Sequence, residues 1–159
     1  MFLSYTTQLV IDHIDYMELA LIEAIKADKK NEVPVGAIVV NKNGEIIAKA
    51  HNLVETNNNS TCHAEKLVIE KALKIIGSRF LDDCDIWVTL EPCVMCAGLI
   101  KQTRIRRLYY GAEDKKGGAV DNGVRVFSNN NAQRSIEVYG GISSTKSEQL
   151  LKDFFQKLR

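Results

Sequence analysis

Two short segments of this chain carry residues that can bind a metal and move protons. The first is His63-Ala64-Glu65, and the second, farther along the chain, is Pro92-Cys93-Val94-Met95-Cys96. Zn²⁺ is commonly bound by imidazole nitrogen and thiolate sulfur, and a catalytic zinc site keeps one of its four tetrahedral positions for water. His63, Cys93 and Cys96 therefore predict a zinc site with three protein ligands, one Zn²⁺ per chain.

A C-x-x-C pair by itself has other interpretations, namely a redox dithiol, a structural zinc knuckle or a disulfide. The upstream His-x-Glu and the proline before the first cysteine favour catalytic zinc, and there is no second C-x-x-C in the sequence to close a structural site. Two further cysteines, Cys62 and Cys84, lie directly before His63 and at the start of an apolar run. We expect both to be buried small apolar residues and not ligands.

The order of the two segments, H-x-E followed by P-C-x-x-C, is the pattern of zinc-dependent nucleobase deaminases. Two thiolates cancel the formal charge of Zn²⁺, so such a site acidifies water less than a three-histidine site, where the water pKa is about 7. A nearby base is therefore useful. Glu65 is predicted to take a proton from water and to return it to a ring nitrogen and to the departing amine.

The spacing also predicts where the site lies. Residues i and i+2 do not share a helix face, so His63 and Glu65 are expected to converge at the end of a helix. Ser60 and Thr61 are candidate N-caps of a helix that starts near His63 and is apolar nearly all round. Pro92 is expected in the first turn of a second helix, whose N-terminus would favour a thiolate at the first cysteine. Zinc would then be held between two helix N-termini.

The rest of the chain predicts an α/β fold. An amphipathic first helix runs from about Ile14 to Lys30, and a last helix has Thr145 and Glu148 as a capping box. Five β-branched or apolar runs predict strands, the first two forming a hairpin and the later ones pairing in parallel through intervening helices. Ligands of such sheets bind at the carboxyl ends of strands. The predicted strands are Val33–Val40, Glu45–Ala50, Asp85–Leu90, Arg104–Gly111 and Ser135–Tyr139.

Composition limits the remaining possibilities. With 159 residues, 45% of them apolar, residues 1–159 can form one domain with its own core and need no disulfides. No stretch predicts a membrane span or a secretory leader, and free cysteines suit a reducing interior, so we expect a cytoplasmic protein. The net charge of +1 is far from strongly basic, so binding to nucleic acid would depend on local clusters of lysine and arginine.

Several longer stretches resemble the bacterial tRNA adenosine deaminases, a branch of the cytidine deaminase superfamily. The resemblance implies a three-layer α/β/α fold with a mixed five-stranded sheet, a homodimer, and conversion of the wobble adenosine of a tRNA anticodon to inosine. The anticodon stem-loop would bind near the dimer interface. The matching stretches are Glu32-Val33-Pro34-Val35-Gly36-Ala37, Asn52, His63-Ala64-Glu65, Thr89 to Gly98, Gly111-Ala112 with Asp114, Leu150-Leu151, and Asp153-Phe154-Phe155.

The resemblance also implies roles for single residues. Asn52 would hydrogen-bond the target base or its sugar, Val33 and Leu90 would line the pocket, and Glu91 would supply backbone contacts there. Ala64 joins this substrate-binding set, and the candidate RNA contacts are Lys116, Phe154 and Phe155.

Two loops depart from the usual family pattern, Asn59–Cys62 and Gly117–Asn122. Both would face RNA, so they bear on the choice of substrate. A small-molecule deaminase of the same fold, acting on cytosine, guanine, cytidine or deoxycytidylate, is therefore the alternative. A non-catalytic zinc-binding module is a third interpretation, which the presence of Glu65 disfavours.

Overall fold

The computed structural model describes residues 14–128 and 134–159. Within them the chain forms four α-helices and five β-strands. In chain order the elements are α1 (Tyr16–Asp28), β1 (Gly36–Asn41), β2 (Ile46–His51), α2 (Ala64–Ile76), β3 (Cys84–Leu90), α3 (Val94–Gln102), β4 (Arg107–Ala112), β5 (Glu137–Tyr139) and α4 (Ser144–Lys157).

The five strands form one mixed sheet in the order β2-β1-β3-β4-β5. β1 pairs antiparallel with its hairpin partner β2 and with β3. β3, β4 and β5 are parallel to one another, with helix α3 connecting β3 to β4. The predicted combination of an antiparallel hairpin and parallel strands is therefore confirmed.

Helices cover both faces of this sheet, which gives the predicted three layers. Ile38 and Val40 of β1 pack with Met17 and Ala20 of α1 on one face. The alternate residues of β1 belong to a larger core cluster on the other face, which includes residues of α2 and α3. Because both faces of β1 are buried, its sequence is a continuous apolar run and does not alternate between apolar and polar residues.

The start of β1 lies directly against helix α1. A Cβ atom at Gly36 would lie 2.0 Å from the carbonyl oxygen of Ala20, which is closer than any side chain tolerates. Glycine is therefore required where the strand passes under the helix backbone. The predicted strand start at Val33 was wrong by three positions, since Pro34 has no N–H to give to a sheet ladder and β1 begins at Gly36.

The predicted N-caps of α2 were wrong. His63 occupies the N-cap position itself, while residues 59–62 form a separate turn. In that turn the Asn59 side chain accepts hydrogen bonds from the Thr61 N–H and hydroxyl groups. The N–H of Ala64, in the first turn of α2, instead donates to Oδ1 of Asn52 at 2.8 Å. A residue from the end of the β-hairpin thus completes the helix terminus.

Three other local predictions need correction. Pro92 precedes the N-cap of α3, which is Cys93, and so lies just outside the helix. The N-cap of α4 is Ser143, in a left-handed conformation, so the predicted Thr145–Glu148 capping box is absent there. Helix α2 is not buried on all sides, since Ile75 and Ile76 at its end are 64% and 43% exposed.

None of the helices in the described ranges is long and apolar enough to cross a membrane.

Candidate metal centre and catalytic cavity

The three predicted metal ligands converge at the N-termini of α2 and α3. His63 is the N-cap of α2, Cys93 is the N-cap of α3, and Cys96 lies in the first turn of α3. Nδ1 of His63 lies 3.6 Å from Sγ of Cys93 and 3.7 Å from Sγ of Cys96. One ligand atom from each residue falls within 4.8 Å of the other two.

These separations fit a tetrahedral zinc ion. Zinc binds thiolate sulfur at about 2.3 Å and histidine nitrogen at about 2.0–2.1 Å, so neighbouring ligand atoms on a tetrahedron lie roughly 3.5–3.8 Å apart. The observed nitrogen-to-sulfur distances of 3.6 and 3.7 Å are in this range. One imidazole and two thiols also form a donor set that zinc favours over hard cations such as Mg²⁺. The residues present therefore fit the ion that the sequence predicts.

The two cysteines differ in their acidity. A hydrogen bond with Cys96, aided by His63 and opposed by burial, lowers the pKa of Cys93 to about 4. The same contact and burial raise the pKa of Cys96. Cys93 is thus a thiolate at neutral pH, as expected at a helix N-terminus, and a bound cation would be needed to deprotonate Cys96 as well.

Glu65 lies beside the three ligands and is buried, with 4% of its surface exposed. Burial is the main cause that raises the pKa of its carboxyl group to about 7. A general acid–base group works best when its pKa is near the operating pH. Glu65 therefore lines a cleft beside His63 and Cys93 and has an acidity suited to proton transfer near neutral pH.

That cleft is a cavity of about 700 Å³, a size typical of small-molecule and nucleotide sites. It contains His63, Cys93 and Glu65, and most of the predicted substrate-binding residues also line it. Ala64 is fully buried and is not among the residues that line it. Lys116 lines a neighbouring groove that shares Phe155 with the cavity. The predicted residues on the cavity wall are Val33, Asn52, Leu90, Glu91, Phe154 and Phe155.

Asn52 connects the cavity to helix α2. Its backbone N–H donates to the carbonyl oxygen of Val35, and its Oδ1 accepts from the Ala64 N–H. The first bond fixes the backbone of Asn52 and the second fixes its side chain. The side-chain N–H₂ group is then the part of Asn52 that can donate to a ligand in the cavity. Asn52 therefore both supports the helix that carries His63 and offers a hydrogen bond next to it.

The Glu91 side chain has a role that the sequence did not indicate. Its carboxylate is buried and accepts hydrogen bonds from the backbone N–H groups of Asp114, Val120, Asp121 and Asn122 and from the Asn122 side chain. Burial would raise its pKa, but these hydrogen bonds prevail and lower it. One ionised carboxylate thus holds the whole loop that carries Lys116 and the altered family segment.

We expect Glu91→Gln to lower the free energy of unfolding by about 2–4 kcal/mol. The amide keeps the shape of the side chain but turns an N–H₂ group toward donors, and a buried donor left without an acceptor is costly. Because the pKa of Glu91 is lowered in the folded state, its contribution is complete above about pH 5 and is lost as the pH falls through that lowered pKa. Urea unfolding at pH 7 and at pH 3.5 measures both effects.

Glu113→Gln is the matched control, since Glu113 is exposed and next to the same loop. It should change the stability by less than about 0.5 kcal/mol. If Glu91→Gln were as mild as this control, Glu91 would not be the group that holds the loop.

A second buried carboxylate, on the same cavity wall, supports another loop. Glu32 is 1% exposed and accepts hydrogen bonds from the N–H groups of Glu55 and Thr56 and from the Thr56 hydroxyl. The loop after β2 is therefore tied down in the same way as the loop after β4. The only sequence signal for Glu32 was its place at the head of the Glu32–Ala37 stretch.

Comparison of this sequence with known proteins matches it to deaminases. A family model of MafB19-like deaminases matches residues 11–159. The tRNA-specific adenosine deaminase of Rickettsia typhi is 49% identical over 90% of this chain and 97% of its own length. The proteins of the same name from Agrobacterium fabrum and Bacillus subtilis are 46% and 43% identical over 91% of this chain, covering 94% and 89% of their own lengths.

Solved structures with a similar fold are also deaminases. One from a study of A-to-I editing by tRNA:A34 deaminases has 47% identity and a TM-score of 0.81, over 86% of this chain and 98% of its own. The guanine deaminase of Nitrosomonas europaea, at 22% identity and a TM-score of 0.77 over 87% of this chain and 82% of its own, shares the fold alone. The fold, the family model and these relatives together define a deaminase of the cytidine deaminase-like fold, a hydrolytic enzyme. Within that class, the chain belongs to the family of tRNA-specific adenosine deaminases.

Proposed function

We propose that this enzyme uses zinc in the hydrolytic deamination of adenosine to inosine at the wobble position of a tRNA anticodon. The observation that carries the proposal is the cluster of His63, Cys93 and Cys96 beside the buried Glu65, with His63, Cys93 and Glu65 on the wall of a cavity that can hold a base. Relatives that match nearly the whole chain are named for the same reaction class.

The reaction replaces the amino group at C6 of adenine with oxygen from water and releases ammonia. Zinc held by His63, Cys93 and Cys96 would supply a water of lowered pKa as the nucleophile. Glu65 takes a proton from the attacking water and delivers it to N1 of the ring. It then transfers the second water proton to the amino group, so that the C6–N bond breaks with loss of NH₃. A carboxyl group with a pKa of about 7 can act in both directions.

The cavity walls supply the contacts that would hold the base. Val33 and Leu90 provide apolar surface, and the Asn52 side chain provides a hydrogen-bond donor. Phe155, which lines the cavity, is 48% exposed and in edge-to-face contact with the buried Phe154. An exposed aromatic ring is a platform on which an unpaired base of an RNA loop can stack.

An anticodon loop suits this site because its bases are unpaired or easily turned outward, which reduces the cost of moving one into a cavity. Lys115, Lys116 and Arg159 line the neighbouring groove and would face the RNA backbone. We further propose that the enzyme is a homodimer, in which each of these clusters occurs twice, and that it works in the cytoplasm.

A deamination assay tests the proposal. Zinc-loaded enzyme is incubated with a tRNA that has adenosine at the wobble position, and separately with cytosine, guanine, cytidine and deoxycytidylate, and products are identified by mass. We expect inosine at the wobble position and no change in the small molecules. Deamination of a free base or nucleotide with unchanged tRNA would replace the proposed substrate with the small-molecule alternative.

A further inference from the structure

A chain of three polar side chains leads from the interior of the protein to the rim of the catalytic cavity. Oε2 of Glu23 in α1 lies 2.9 Å from Nδ1 of His51, the last residue of β2. Nε2 of the same ring lies 3.1 Å from Nζ of Lys30. Lys30 follows α1 and lines the cavity that contains Glu65.

The hydrogen-bond donors in this chain can be assigned from chemistry. A lysine ammonium group can only donate, so Nε2 of His51 accepts and the ring proton resides on Nδ1, which donates to Glu23. Burial would raise the pKa of Glu23, but hydrogen bonds from Lys26 and His51 lower it, so the carboxylate is charged. The buried anion therefore orients the ring, and the ring in turn holds the Lys30 side chain at the rim.

The charge of the cavity makes this position important. Five acidic residues line it, and among the residues that the structure describes Lys30 is the one lysine or arginine on its wall. Glu32, Glu65 and Glu91 are buried, whereas Glu55 is exposed and Asp114 is half-buried. A substrate that carries phosphates would be repelled by those last two carboxylates, and the Lys30 ammonium group is the charge that offsets them. The five acidic residues are Glu32, Glu55, Glu65, Glu91 and Asp114.

We propose that Lys30 is a substrate-binding residue that contacts an RNA phosphate next to the target nucleotide, and that His51 and Glu23 are its positioning residues. The proposal rests on the proposed function, since it requires an RNA substrate. Lysine is well suited to this task, because its ammonium group binds phosphate as a point charge and releases counterions from the RNA.

The first test combines a protein variant with an altered RNA. The substrate is an anticodon stem-loop in which each linkage flanking the target adenosine is replaced in turn by an uncharged methylphosphonate. For the wild-type enzyme, one replacement should raise KM roughly three- to ten-fold, with kcat nearly unchanged, as expected for a contact made equally before and during the reaction.

Lys30→Gln should raise KM for the unmodified RNA by a similar factor and should abolish the effect of that replacement. It should also lower the magnitude of the slope of log affinity against log salt concentration by about 1, the amount expected for the loss of one phosphate contact. Lys29→Gln is the matched control, because Lys29 is exposed beside Lys30 but does not line the cavity. This control should retain the wild-type KM and the wild-type response to both linkages.

The second test concerns the positioning residues. His51→Leu should raise KM by less than Lys30→Gln does, and combining both changes should be no worse than Lys30→Gln alone, since His51 acts through Lys30. Thermal unfolding checks that each variant is folded. If His51→Leu proved unfolded, Lys30→Gln, which alters only an exposed residue, would still decide the main point.

Equal sensitivity of Lys30→Gln and wild type to both neutral linkages would overturn the phosphate contact. An additive effect of His51→Leu on top of Lys30→Gln would overturn the positioning role. Failure of the proposed function gives a different result, because the wild-type enzyme itself would then leave the unmodified stem-loop unchanged.

Discussion

Glu65→Gln is expected to reduce kcat by about 10³-fold or more while leaving the metal content of the protein unchanged. The amide has nearly the shape of the carboxylate but cannot accept and return a proton, and a positioned general acid–base group contributes about 10²–10⁴-fold. Here one group would handle two successive proton transfers, which places the expected loss toward the upper end. Single-turnover rates on the substrate identified above measure the effect, and elemental analysis measures the zinc.

The matched control is Glu55→Gln, which removes a carboxylate from the same cavity wall at an exposed position. Its turnover should remain within about three-fold of wild type, because an exposed carboxylate that does not touch the reacting atoms carries no proton for the reaction. If Glu65→Gln kept a tenth or more of the wild-type kcat with full zinc, the proton role of Glu65 would be rejected. Loss of zinc in this variant would instead make Glu65 part of the metal site.

The convergence of His63, Cys93 and Cys96 could be anticipated from the sequence because the chemistry of each residue and its place in the fold agree. A histidine and a cysteine that each precede an apolar run mark two helix N-termini, and the structure places His63 and Cys93 at those N-caps. The spacing of the cysteines then puts Cys96 one turn later, on the same side of α3.

The groups that complete those helix ends could not be anticipated locally. The prediction from local pattern chose Ser60 and Thr61 because short hydroxyl side chains are common N-caps. The actual partner of the Ala64 N–H is Asn52, which is distant in the chain and reaches α2 only once the β-hairpin has formed. Contacts of this kind depend on the fold and leave no periodic signal in the sequence.

The same limit applies to the buried acidic residues. Sequence reasoning assigns glutamate to the surface, and Glu32 and Glu91 are buried because loops far along the chain surround them with N–H donors. The resemblance pointed to Glu91 only for its backbone. Its side chain holds the Gly117–Asn122 loop, so the departure from the family pattern in that loop includes a residue, Asn122, that binds the same carboxylate.

Cys96→Ser is expected to abolish both metal binding and activity. Cys96 is fully buried in the first turn of α3, and the serine hydroxyl, which stays protonated, is a poor ligand for zinc. Removing a group that only hydrogen-bonds a metal ligand already lowers metal affinity by about 10–100-fold. Removing a residue that binds the metal directly should lower the affinity further. Zinc content after dialysis, together with deamination of the tRNA substrate, measures the result.

Cys84→Ser provides the matched control, because Cys84 is an equally buried cysteine at the start of β3, the end of that strand away from the ligand cluster. It should lose about 1–3 kcal/mol of stability from burying a hydroxyl group but retain one zinc per chain and its activity. Both variants replace a buried thiol with a hydroxyl group. The comparison therefore distinguishes the effect of burying a hydroxyl from the effect of losing a metal ligand. Zinc retained by Cys96→Ser at one equivalent, with only a loss of stability, would show that Cys96 belongs to the core and not to the metal site.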